Sequence, residues 1–212
     1  MRTGPLRWVG GDPLLALDSA DQAAGRAGSV GSADNGPTTH RQDDAPPAED
    51  PGLRAVDKPP SRSHEAVVRA LAGLPTELDR LIDGKSDDVL TQPAQDGGWG
   101  MVEILAHLRD WEEIFHGRLW LILEQDRPQL EVFDDSLWAI ERNYREQKPR
   151  QVFERFRELR SFLTEKAEGL DEAAWQRVGL HPRRGEVSVH RLLDRLCDHD
   201  ANHLERARDV LG

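Results

Sequence analysis

Cysteine is nearly missing from this chain: Cys197 is the one thiol among 212 residues. That excludes an internal disulfide and fits a reducing, cytoplasmic compartment. Long apolar runs are missing as well. No stretch approaches the ~20 apolar residues a membrane-spanning helix requires, and residues 14–17 (LLAL) are too short for the apolar core of a secretory leader. Clustered positive charge is also lacking. The 28 Lys and Arg are scattered among 39 Asp and Glu, leaving a net charge of -11. A phosphate-tracking surface needs the reverse, so neither nucleic acid nor a membrane is an expected partner.

What is present divides unevenly. Residues 1–60 are rich in Pro, Gly, Ser, Asp and Ala, with almost nothing to bury, and read as a disordered extension. His40 lies there and has no assigned role. Residues 61–212 are long enough to bury a core without staples. Four segments there place apolar residues at three-four spacing. The first, 63–84, carries Val67, Val68, Leu71, Leu74, Leu78, Leu81 and Ile82. Pro75 interrupts it, as a kink or as the first residue of another helix. The second, 101–125, carries a broad arc from Met101 to Ile122. The third, 150–169, has Val152, Phe153, Phe156, Leu159, Phe162 and Leu163 as its expected core face. The fourth, 189–211, aligns Val189, Leu192, Leu193, Leu196, Ala207, Val210 and Leu211. Asp171 and Ser188 are expected helix caps, and a short helix is expected around 136–144. With no convincing strand and no repeat, the pattern predicts an all-α four-helix bundle. The long second-to-third connection allows two neighbouring helices to run parallel.

The chemistry concentrates in the fourth segment, VHRLLDRLCDHDANHLERARDVL. His199 and His203 are four apart, so both rings project from one face, inside the apolar arc. His107 occupies the same kind of position on the second segment, between Ile104 and Trp111. His116, nine residues on, falls about 180° away and should face solvent or a neighbour. Each unpaired nitrogen of a buried imidazole costs about 1–3 kcal/mol. Any one of the three could be a satisfied core residue; together, facing a bundle interior, they suit a three-nitrogen metal site with an open fourth position. Neutral imidazoles do not choose among zinc, nickel, iron, cobalt and copper. Asp200 also falls inside the arc. It is a candidate catalytic base, a carboxylate that orients a ligand ring, or a structural hydrogen-bond partner. Arg206 borders the arc, either snorkelling to the surface or presenting charge to an anionic substrate. Cys197 lies about 160° from His199 and is not expected to share its metal. Tyr144, Trp111, Trp138 and Trp175 are candidate pocket or core aromatics.

These residues resemble the DinB-like (YfiT/DfsB-type) metalloenzyme superfamily. The resemblance rests on WGMVEILAHLRDWE (99–112), LHPRRGEVSVHRLLDRLCDHDANHLE (180–205) and Trp175 between them. It implies a four-helix bundle, often a homodimer, with a divalent metal (Zn, Ni or Fe) on His107, His199 and His203. It also implies a small-molecule substrate and, for some members, transfer of a low-molecular-weight thiol such as mycothiol or bacillithiol. A metal-dependent hydrolase with Asp200 as base, and a non-catalytic metal-binding or dimerisation bundle, are the alternatives. Two positions depart from the family pattern: Arg206 stands where Gln is frequent, and Gly100 where Ser or Thr caps the second helix.

Overall fold

The computed structural model describes residues 60–212. The extension expected over residues 1–60, His40 included, lies outside the described residues except for Pro60. Four long helices carry the core: α1 (His64–Ile82), α3 (Met101–Glu124), α5 (Pro149–Glu168) and α7 (Val189–Leu211). Short helices α2 (Asp87–Leu90), α4 (Trp138–Glu141) and α6 (Glu172–Gln176) and a 3₁₀ turn (Tyr144–Glu146) occupy the connections. Local chemistry sets the starts. Ser63, Asp171 and Ser188 each accept the backbone N–H of the third residue on, at Ala66, Ala174 and Arg191. Pro149 opens α5, where its missing N–H costs nothing.

Helix directions follow from the side-chain contacts. Arg62 reaches Asp194 while Arg208 reaches Glu77, so α1 and α7 run parallel. Arg150 caps the Ile82 carbonyl while Arg160 reaches that of Leu71, so α5 runs antiparallel to α1. Arg160 meets Glu112 and Lys166 lies over Trp120, which makes α3 and α5 parallel. His107 contacts His203 and Trp111 contacts His199, so α7 opposes α3. The order is up, down, down, up. It is the parallel pairing that the long connection between α3 and α5 permits.

Three sequence-based expectations change. Of the two readings of Pro75, the start of a second helix is excluded: α1 passes through it. Its missing N–H leaves the Leu71 carbonyl without a helical donor, and Arg160 Nη1 fills the vacancy at 3.3 Å. Phe162 is 53% exposed rather than in the core. It stands about 100° around α5 from Leu163 and well off the buried arc of Val152, Phe156, Leu159 and Leu163. Third, the chain does form strands. β1 (Val178–His181) and β2 (Gly185–Ser188) pair antiparallel, with Gly185 at φ +70° closing the turn. Leu180 exchanges backbone hydrogen bonds with Pro128 and Leu130, so the hairpin pins the start of the α3–α5 connector just ahead of α7.

Candidate metal centre

Both central helices of the site are covered on more than one face. Every residue from Met101 to Leu108 is buried, and so are His199, Asp200 and Leu196 on α7. From these positions His107, His199 and His203 converge. Their ring centroids are 4.5 Å (107–203), 4.4 Å (199–203) and 5.2 Å (107–199) apart. One ring nitrogen from each can be chosen so that all three lie within 4.8 Å of one another. Nε2 of His107 and Nε2 of His199 stand 3.2 Å apart. His107 and His199 are buried, and His203 is half-buried at the rim.

The far sides of the two buried rings face carboxylates. His107 Nδ1 lies 3.9 Å from Asp135 Oδ2, and His199 Nδ1 lies 3.8 Å from Asp200 Oδ1. An anionic oxygen beside Nδ1 favours the proton on that nitrogen. With the protons on Nδ1, each Nε2 would present a lone pair toward the other. Two lone pairs at that distance repel unless a proton or a cation sits between them. Nitrogen ligands about 2.0–2.1 Å from a tetrahedral ion lie about 3.3 Å apart, close to the separation found. Burial pushes His107 well below the ordinary imidazole pKa and His203 down to about 3, with the neighbouring imidazoles adding to the effect. Both rings are therefore neutral at physiological pH, as a metal ligand must be. The residues fit a divalent cation.

Each supporting carboxylate is held in turn. Asp135 Oδ2 accepts the indole N–H of Trp111 at 2.8 Å, which fixes the connector against α3. Asp200 takes two bonds from Arg160, at 2.7 and 3.2 Å. Arg160, 1% exposed, also gives Glu112 a fork, Nε at 3.0 Å and Nη2 at 2.6 Å. Burial works against the charge on Asp200, yet Arg160 and His199 hold its carboxyl below the usual carboxylate range. Burial pushes Glu112 the other way, above that range.

Trp99 packs on His107 with centroids 4.9 Å apart, and Trp111 flanks His199 at 6.3 Å. Arg206, at the outer turn of α7, pairs with Asp96 at 2.8 Å. Other expected residues lie elsewhere. Cys197 is buried against the Val67 carbonyl on α1. Trp175 stacks on His64, centroids 4.2 Å apart. His116 stacks on Trp120. Tyr144 donates to Asp110 at 2.6 Å, and Trp138 packs on Trp111. Sequence reading missed Asp135, Glu112 and Arg160. Arg160 left a signal, a lone guanidinium inside the apolar arc of α5; Asp135 sits in an acidic connector and left none.

Comparison with known proteins gives four findings. A family model described as the DinB superfamily matches residues 70–207. The "Putative metal-dependent hydrolase YfiT" of Bacillus subtilis is 22% identical over 144 residues, covering 68% of this chain and 81% of that protein. A similarly named protein of Oceanobacillus iheyensis is 26% identical over 141 residues, covering 64% of this chain and 78% of the relative. The solved structure of YfiT is described as "a probable metal-dependent hydrolase with an unusual four-helix bundle topology". It matches with a TM-score of 0.65 at 20% identity, over 73% of this chain and 91% of that one. The last likeness speaks for the fold.

Proposed function

The chain belongs to the DinB superfamily, and on that footing we propose that it is a divalent-metal enzyme with His107, His199 and His203 as ligands, transferring a low-molecular-weight thiol to a small electrophile. The observation that carries the reading is the 3.2 Å approach of the two Nε2 atoms, each ring backed by a carboxylate. When bound there, zinc, nickel or iron would lower the pKa of a thiol or a water enough to supply a nucleophile at neutral pH. The chain's own residues prepare that site. Asp135 and Asp200 aim the two buried rings, while Trp99 and Trp111 keep water from their flanks. Half-buried His203 and Arg206 lie on the outer turns of α7, Arg206 paired with Asp96 of the α2–α3 connection, and a substrate would enter there.

Hydrolysis is the second reading, favoured by the names of the relatives. In its base-assisted form Asp200 would be the base, and it is a poor one: its carboxylate is held by Arg160 and its pKa is lowered. Either nucleophile, thiol or water, would then be activated by the ion itself.

The test has two stages. Elemental analysis should find about one divalent ion per chain, lost in the alanine variants of the three histidines. The loaded protein should then couple a bacterial thiol to a chromogenic electrophile. Turnover of esters or amides without added thiol would favour hydrolysis, and full-strength metal binding without His199 would sink both readings.

A further inference from the structure

We propose that Arg160 is a positioning residue for the metal centre: it acts through Asp200 to aim the His199 ring. The inference rests on the reading of His199 as a ligand. It concerns a residue on α5, a helix that supplies no ligand.

Arg160 is 1% exposed and has three sets of partners. Glu112 on α3 takes Nε and Nη2. Asp200 on α7 takes Nη1 and Nη2. The Leu71 carbonyl on α1, which Pro75 deprives of its helical donor, takes Nη1. One planar group thus touches the other three long helices of the bundle. A fork bound on two edges cannot rotate, so the Asp200 carboxylate has one orientation available. In that orientation Oδ1 lies 3.8 Å from His199 Nδ1, and the ring's Nε2 points at His107. Stability alone does not require this arrangement. A buried ion triad is often matched or bettered by apolar side chains of the same volume. Its geometry toward His199 is what an apolar replacement would forfeit. Removing the support of a ligating histidine typically weakens metal binding about 10–100-fold.

The test is zinc affinity, measured by competition with a chromophoric chelator on the full chain, alongside urea unfolding of the metal-free protein. Arg160→Met and Asp200→Asn should each weaken zinc about 10–100-fold, and the double variant should lose no more than the worse single one, because one residue acts through the other. Arg160→Lys keeps the charge without the fork. It should lower affinity less than Arg160→Met and should broaden the visible spectrum of the cobalt-loaded protein. A purely structural Arg160 would lower the unfolding midpoint but leave zinc affinity within twofold and the cobalt spectrum unchanged, and that result overturns the proposal. So do losses that multiply in the double variant. Should Arg160→Met not fold, Arg160→Lys and Asp200→Asn decide by the same criteria. His199→Ala with unaltered zinc affinity would instead refute the ligand assignment itself.

Discussion

Nε2 of His107 and Nε2 of His199 face each other across 3.2 Å, and each ring turns its Nδ1 toward a carboxylate. A cation that binds this arrangement and not the unfolded chain stabilises the fold by mass action, about 2.7 kcal/mol at a hundredfold excess over Kd. For a domain of this size that is a rise in Tm of roughly 5–10 °C. Thermal unfolding of chelator-treated protein with and without added zinc should show it, and His199→Ala should abolish it.

Acid should destabilise the metal-free protein for a definite reason. His203 is pushed down to about 3 in the fold, and His107 is also well below the imidazole range, whereas the unfolded chain titrates near 6.5. Between those values the unfolded state binds protons that the folded state refuses. The stability is therefore complete above about pH 6.5 and drains away as pH falls toward 3. Urea midpoints measured from pH 7 to pH 4 should fall, and His203→Gln should flatten the slope. An unchanged slope in that variant would mean the ring is not held neutral.

Periodicity carried far because the four long helices pack by apolar stripes, and a stripe is a local property of sequence. The His199/His203 pair was legible on the same ground: four residues on one helix fix a shared face. The hairpin was not, since each strand is only four residues long and the Pro182-Arg183-Arg184 stretch between them reads as a loop. Arg160, Glu112 and Asp135 escaped for a different reason. Their partners lie 48, 40 and 24 positions away, and no local pattern encodes which buried charge meets which. Phe162 shows the converse: an apolar residue beside the arc that periodicity includes and packing leaves exposed.

Gly100 shows how a local rule is overruled. Serine is the better N-cap by propensity, and Gly100 already supplies its own N–H to Glu103 Oε2 at 2.9 Å. A Cβ at this position, however, would meet the Gln92 carbonyl oxygen at 2.0 Å. The obstacle is backbone and cannot step aside cheaply. Gly100→Ser should therefore lower stability by about 1–3 kcal/mol, the usual cost of overpacking, where capping alone forecasts a gain. Chemical denaturation of the purified variant decides between the two signs.

Cys197 should be inert in the native state. Burial pushes its thiol up to about 12, and it is only 4% exposed. Thiolate is the reactive form, so alkylation by iodoacetamide at pH 8 should be negligible in the folded protein and rapid in urea. Mass spectrometry of the intact chain reads the outcome. Ready labelling of the native protein would show that α1 and α7 part often enough to admit reagent at Val67.

Pro75 supplies the last test. A proline inside a helix ordinarily costs about 3 kcal/mol relative to alanine, partly through the lost N–H and partly through its ring. Here the stranded Leu71 carbonyl already has a charged donor in Arg160, so part of that loss is made good. Pro75→Ala should stabilise the metal-free protein by clearly less than the full amount, about 1–2 kcal/mol. The restored N–H also competes with Nη1 for the same oxygen, loosening one of the guanidinium's three anchors. Zinc affinity should then fall slightly while the unfolding midpoint rises, a divergence that ordinary helix stabilisation does not produce. A gain of the full 3 kcal/mol with unchanged zinc binding would mean that the Leu71 contact contributes nothing.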